Sequence, residues 1–352
     1  MSPAGRIAHR REMAGRRVAD AEPRGDTSQA SQTPRQPMAY LIDLALRLAA
    51  GGARWSEDFR HPHAEYLRAA QRDDGGFAGR QGESDLYYTS FALRGLSLLG
   101  ALDGPAAERA ADFLRRRLDR PLPAVELYSL VLGATQLESA GGLSILDDRA
   151  DRDSQLLAAI DAHHRDDGGF AKTPTSPSSS TYHTFLACLC RPLLGGDPVP
   201  IEPIVELIHS RRRDDGGFVE IPQMRSSGAN PTAAAVILLK ELGRLDAAIE
   251  QDACRFFALL QNDEGGFRAN TAIPIADLLS TFTALAVLAD LDKLSLIDRR
   301  AAAQYARRLQ RPEGGFRGGA WDHAADVEYT FYGIGTLALA DPNGEENRLC
   351  PS

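Results

Sequence analysis

The sequence predicts an all-α protein, an α/α toroid in which six inner helices surround a central cavity and six outer helices surround those. Three observations predict it. The tripeptide Gly-Gly-Phe occurs five times, with the first glycines at Gly75, Gly168, Gly216, Gly265 and Gly314. A charged, amphipathic helical pattern precedes each copy and a nearly all-apolar one follows it. A threonine then keeps a fixed register after each glycine pair.

The chain opens with a segment outside this pattern. Residues 1–37 hold seven arginines, no lysine and no aromatic, too little apolar surface to bury, so a disordered tail is expected. No apolar stretch of secretory type occurs there, and Glu12, Asp20, Glu22 and Asp26 weaken any likeness to an organelle transit peptide. Met38 then reads as the start of the folded part, with the amphipathic run MAYLIDLALRLA.

The glycine spacings are 93, 48, 49 and 49 residues, so one gap is nearly double the others. A degenerate sixth unit is therefore expected near residue 121, where LDRPLPAVELYSLVLGATQL supplies a helix but no glycine pair. Six units account for most of the 352 residues as one domain over 38–345, followed by a C-terminal tail at 346–352.

Within a unit, patterns such as AEYLRAAQ and AAAQYARRLQ alternate charged and apolar faces and belong outside. Patterns such as SFALRGLSLLG and TAAAVILLKELG are apolar nearly all round and belong inside. The glycine pair is expected to end the outer helix in the left-handed region. The residue before it is always acidic (Asp74, Asp167, Asp215, Glu264, Glu313) and is expected to take backbone N–H groups of the adjoining loop. A catalytic acid is needed once, not five times.

The threonines are Thr89, Thr184, Thr232, Thr281 and Thr330. Four residues before them stand Asp85, Ser180, Gly228, Asp277 and Asp326, all suited to capping the inner helices. Around the same register gather Tyr87, Tyr88, Phe91, Tyr182, Phe185, Phe282, Tyr329, Phe331 and Tyr332, nine of the 24 aromatics. Converging on one end of a cavity, they predict an apolar pocket with an aromatic wall, suited to a long hydrocarbon or to a carbocation. His183 and Trp321 are further candidates to line it.

Composition excludes other classes. A formal charge of −8 lacks the positive cluster that nucleic acid or an anionic membrane surface requires. No apolar run approaches the roughly 20 residues of a membrane span. Cys188, Cys190, Cys254 and Cys350 show no disulfide spacing, so a reducing, cytoplasmic setting is expected. Cys188 and Cys190, two apart on a helix, read as packing residues. In WDHAADVE, the residues Asp322, His323, Asp326 and Glu328 offer metal-ligating atoms, but a single histidine among loop acids reads first as a solvated cluster. No Gly-Cys-Gly-Glu-Gln thioester sequence occurs.

The units, Q-x-x-D-G-G-F followed by a Tyr-Thr inner helix, resemble those of protein prenyltransferase β subunits. They are similar too to squalene and terpene cyclases, which share the α/α toroid. The resemblance runs over about residues 60–345. It implies an isoprenoid, such as a prenyl diphosphate, in the cavity, and it implies an α-type partner subunit. It also implies zinc, held through an Asp-x-Cys motif and a histidine. Asp277 matches the aspartate, whereas Leu279 and Tyr329 stand at the cysteine and histidine positions, so the zinc site is expected to be degenerate. The family's diphosphate-binding positions fall on Gly228, Thr271 and Pro274. In the cyclase frame, Asp-x-Asp-Asp-Thr aligns on Asp326-Val327-Glu328-Tyr329-Thr330, which makes Glu328 the candidate proton donor beside Asp326. Three activities follow as expectations: an isoprenoid-binding protein of the prenyltransferase type with transfer as its chemistry, a single-domain acid-initiated cyclase, and a non-catalytic lipid-binding or scaffold toroid.

Overall fold

The computed structural model describes residues 38–118, 120, 122–145 and 151–341. The expected tails at 1–37 and 346–352, with Cys350, lie outside the described residues. Helices make up 58% of the structure, 13 of them among the described residues. An N-terminal helix α1 (Met38–Gly52) precedes the outer set: α2 (Glu57–Ala69), α4 (Gly104–Arg117), α6 (Arg152–Asp161), α8 (Ile201–Ser210), α10 (Ala247–Leu260) and α12 (Arg299–Leu309). The inner set is α3 (Leu86–Leu98), α5 (Ala124–Gly141), α7 (Thr181–Leu193), α9 (Ala229–Glu241), α11 (Leu278–Asp290) and α13 (Val327–Ala340).

The inner helices close a ring: α3 packs on α5, α5 on α7, α7 on α9, α9 on α11, α11 on α13, and α13 returns to α3. Their burial follows their composition. Eleven of the 13 residues of α11 are buried, against five of the 11 in α12, where Arg300 and Arg308 face water. The pair α4–α5 occupies the stretch around residue 121 without a glycine turn between its helices.

The glycine pairs do not end the outer helices as expected. Helix α2 stops at Ala69 with a right-handed cap, and Gly75 closes a separate turn in which its N–H donates to the Arg72 carbonyl at 2.9 Å. Glycine is needed there for two reasons. All five first glycines have φ between +85° and +95°, and each backbone runs against the next outer helix in the ring. A Cβ on Gly75 would lie 2.2 Å from the Arg109 carbonyl oxygen of α4, and one on Gly314 would lie 2.1 Å from that of Pro62 in α2.

The acidic residues beside the glycines divide into two groups. Asp74, Asp167 and Asp215 accept from the second glycine's N–H at 3.1, 3.3 and 3.1 Å, as expected, and from the hydroxyls of Ser84, Ser179 and Ser227. In the last two units an alanine, Ala276 or Ala325, packs beside the second glycine, where the earlier units have those serines. There the acid is a glutamate, and Glu313 pairs instead with Arg311.

The threonine register also has a physical cause. Each Thr Oγ1 accepts from the backbone N–H of its unit's repeat phenylalanine, for example Thr232 from Phe218 at 2.9 Å and Thr330 from Phe316 at 3.1 Å. Asp85, Ser180, Asp277 and Asp326 cap their helices by side-chain hydrogen bonds, and Gly228 holds the same place without one.

Helix α1 stands apart from the pairs. It contacts α3, α7, α9, α11 and α13 and lies across the C-terminal ends of the inner ring. Tyr40 N–H donates to Glu241 Oε2 at the end of α9, and a Cβ on Gly51 would lie 2.0 Å from the Ala338 carbonyl oxygen in α13. No helix among the described residues is long and apolar enough to cross a membrane.

Candidate functional site

A cavity of about 790 Å³ fills the ring. All six inner helices line it, and α1 lies across one side. Its aromatic wall comprises Phe91, Tyr182, Phe185, Phe282, Phe331 and Tyr332. The rings interlock: Phe91 lies edge to face with Tyr332 at 5.2 Å and tilted against Phe331 at 5.7 Å, and Phe282 lies edge to face with Phe331 at 5.3 Å. Aliphatic residues such as Leu132, Leu189, Ile237 and Val287 carry the lining toward the α1 end. Ile42 and Leu46, on the outer stripe of α1, also line the cavity while 50% and 63% exposed, so it opens to solvent beside that helix.

One cation without a hydrogen-bonded partner among the described residues stands inside. Arg94, near the middle of α3, places its guanidinium 4.0 Å from the Phe331 ring centre and 5.4 Å from that of Phe91. It has no ion pair or hydrogen bond with any described residue, and burial lowers its pKa. The ionisable groups nearest it in effect are Tyr332, Tyr182, Tyr40 and Tyr87. Arg60 also lines the cavity, but its donors serve the carbonyls of Trp55, Leu99 and Gly52.

At the N-terminal ends of the inner helices a separate polar pocket of about 490 Å³ is lined by Arg80, Gln81, Tyr88, Trp321, Asp322, Asp326, Glu328 and Tyr329. Arg80 grips Asp322 through two hydrogen bonds, one at 2.9 Å, and its Nε lies 3.4 Å from Asp326 Oδ2. Burial pulls the Asp322 carboxyl upward, but Arg80 and two backbone donors hold it below the usual range. Burial raises the pKa of Asp326 and of Glu328. The hydroxyls of Tyr87 and Tyr332 partly offset that rise at Glu328, Tyr87 donating to its Oε1 at 2.6 Å.

The sequence-selected residues therefore fall in three places. Tyr182, Phe282 and Tyr332 line the apolar cavity. Asp326, Glu328, Tyr329, Tyr88 and Trp321 line the polar pocket, and Tyr87 bridges toward it through Glu328. Asp277 and His183 line neither. Asp277 caps α11, its two oxygens accepting from the Ser280 N–H at 2.7 Å and hydroxyl at 2.9 Å. His183 is buried with Nδ1 2.8 Å from the Ser180 hydroxyl, and burial lowers its pKa to about 4. Glu328, the candidate proton donor, lines the polar pocket and not the apolar cavity, while Tyr332 on the cavity wall lies close enough to moderate its carboxyl.

The residues at the zinc positions do not fit zinc. Leu279 has no donor atom and lines the cavity, Tyr329 is a neutral phenol whose pKa burial raises to about 12, and Asp277 is committed to Ser280. No three His, Cys, Asp or Glu side chains cluster as metal ligands among the described residues. Asp322, in the loop whose side chains offer metal-ligating atoms, is held by Arg80.

The sequence reading passed over Arg94, Arg80 and Asn230. Arg94 carried a visible signal, the one charge inside SFALRGLSLLG. Asn230 occupies the Tyr87 register on α9, lines the cavity and leaves Oδ1 buried without a partner among the described residues.

The family model of the prenyltransferase alpha-alpha toroid domain matches residues 31–121, 134–239 and 231–348. Among solved structures, Candida albicans protein geranylgeranyltransferase-I, complexed with GGPP, is 16% identical with a TM-score of 0.65, over 80% of this chain and 90% of that one. A variant of the type II terpene cyclase MstE from Scytonema, in complex with its substrate geranylgeranyl dihydroxybenzoate, is 16% identical with a TM-score of 0.57, over 85% and 99%. Another MstE variant, bound to its product merosterolic acid A, is 15% identical with a TM-score of 0.57, over 86% and 98%. No curated protein matches in sequence.

Proposed function

The chain belongs to the prenyltransferase alpha-alpha toroid family, and from that premise we propose that it binds an isoprenoid chain in its central cavity. The observation that carries this reading is the cavity itself: about 790 Å³, walled by six aromatic rings of the inner helices, by Tyr40 of α1 and by aliphatic side chains. Its volume lies in the range that encloses a drug-sized or larger apolar ligand. Burying such a chain against these walls supplies binding energy in proportion to the apolar area removed from water. Two of the structural neighbours hold geranylgeranyl compounds, which agrees with this reading.

Zinc-dependent transfer to a thiol is not part of the proposal, because the donor set is missing. Nor does the polar pocket suit a diphosphate: three carboxyl groups face a single guanidinium there, and that guanidinium is already engaged. Native mass spectrometry of the purified chain, with metal analysis before and after incubation with geranylgeranyl compounds, tests the reading. Retention of one isoprenoid per chain with no stoichiometric zinc is expected. Stoichiometric zinc would overturn the exclusion of the metal site, and failure to retain any isoprenoid would overturn the cavity reading.

One observation favours proton-initiated cyclisation as a second reading. Glu328, with its raised pKa, takes a hydrogen bond from Tyr87, and the neighbouring Tyr332 on the cavity wall moderates its carboxyl, so an acid lies beside the apolar cavity. Against it stands Arg94, whose guanidinium already occupies the faces of Phe91 and Phe331 that would stabilise a carbocation. Cyclised product from a neutral polyprene, lost in Glu328→Gln, would establish this second reading. Product that survives the substitution would remove Glu328 from it.

A further inference from the structure

Arg94 is a half-buried cation without a counter-charge among the described residues, and its surroundings define what would neutralise it. An unpaired charge in an apolar setting is unfavourable, and contact with two ring faces offsets only part of that cost. Among the described residues the cavity lining contains no aspartate, glutamate, lysine or histidine, and its other arginine, Arg60, is spent on three backbone carbonyls. The side chains that weigh most on Arg94 electrostatically are tyrosines, two of which, Tyr182 and Tyr332, also line the aromatic wall. Asn230 adds an amide whose Oδ1 has no partner among the described residues.

We propose that the cavity binds a long apolar chain ending in a carboxylate, with the carboxylate paired to Arg94. This rests on the isoprenoid reading above and names the head group. A planar guanidinium with unused donors matches a carboxylate in a two-pronged pair. The charge count selects the head: one uncommitted cation balances one negative charge, whereas a diphosphate would bring several into the same apolar space. The chain then lies along Phe282, Leu189 and Ile237, which carry no charge.

Isothermal titration of the full chain with geranylgeranoic acid, geranylgeraniol, geranylgeranyl diphosphate and palmitic acid tests the proposal. The acid should bind about tenfold or more tighter than the alcohol. That preference should vanish in Arg94→Met and persist in part in Arg94→Lys. Without ligand, Arg94→Met should melt at the same or a higher temperature than the parent, because it removes an unpaired charge. Equal affinity for acid and alcohol, tighter binding of the diphosphate, an unchanged preference in Arg94→Met, or a lower melting point for unliganded Arg94→Met would each overturn it. If palmitic acid matches geranylgeranoic acid and both need Arg94, the carboxylate site stands and the isoprenoid reading falls. If no ligand binds, both fall.

Discussion

The Tyr87 hydroxyl donates a 2.6 Å hydrogen bond to Glu328 Oε1, joining α3 to α13 where the first and last inner helices close the ring. The two residues are 241 positions apart in the chain. The bond couples ring closure to the protonation of the polar pocket, since Tyr87 is one of the groups that moderates the raised pKa of Glu328.

Removing that donor should therefore move Glu328 further from the usual carboxylate range. In Tyr87→Phe the Glu328 pKa should rise, and the protein should lose about 1–3 kcal/mol, the cost of stranding a buried acceptor. Carboxyl-carbon NMR titration and urea unfolding measure the two effects. A Glu328 pKa that falls or stays put would show that the bond does not act on the carboxyl.

His63 supplies a second closure, with a pH dependence of known sign. Its Nδ1 accepts from the Gly315 N–H at 2.9 Å, and its ring stacks on Phe316 at 4.8 Å, so α2 of the first unit holds the glycine turn of the last. Burial lowers its pKa to about 4, below the unfolded value. The neutral ring's contribution is complete above about pH 6.5 and is lost as pH falls toward 4, worth about 3 kcal/mol over that interval. His183, also lowered to about 4 by burial, acts in the same direction. Asp277, Asp326 and Glu328, raised by burial, act oppositely, their contribution fading as pH rises through their folded values. His63→Leu isolates the first effect: it should be less stable than the parent at pH 7 and lose less on acidification to pH 5. Parallel pH curves for the two proteins would refute the assignment.

The glycine turns should differ in their tolerance of a methyl group. Gly75→Ala places Cβ 2.2 Å from a backbone carbonyl oxygen of α4, whereas Gly216→Ala places it 2.8 Å from the corresponding oxygen of Asp252 in α10. Both positions require φ near +85°. Each substitution should be destabilising by at least the 1–2 kcal/mol of left-handed strain, with Gly75→Ala the worse. Thermal melts of the two variants compare them directly. The reverse order would mean that the contact with α4 yields more easily than its geometry implies.

The repeat was legible because its causes are local. Glycine at positive φ, a caught threonine hydroxyl and a capping aspartate each leave a fixed residue type at a fixed spacing. The position of the aromatics was legible for the same reason, as Phe282 and Tyr332 on the cavity wall illustrate. The assignment of the candidate carboxyls was not. Asp277 and Asp326 share one register, yet Asp277 is consumed by Ser280 while Asp326 meets Arg80, which arrives from a loop some 246 residues earlier in the chain. His183 drew notice as a cavity candidate, but Ser180 one turn earlier holds its ring.

By itself the sequence determined the class of fold, the alternation of inner and outer helices and the apolar character of the enclosed space. Each of these follows from hydrophobic pattern and turn chemistry within a unit of about 48 residues. Only the tertiary structure decided what that space contains and how it opens. Closure of the ring brings Arg94 under Phe331 and sets Tyr87 on Glu328, and α1 lies across the far end. Arg94 stands nine residues from the nearest charges in sequence, Asp85 and Asp103, and that spacing says nothing of such contacts, because a side chain's charge partner is chosen by neighbouring helices rather than by its own. The lone arginine of SFALRGLSLLG was visible from the start, and its isolation became a property of the protein only when six helices enclosed it.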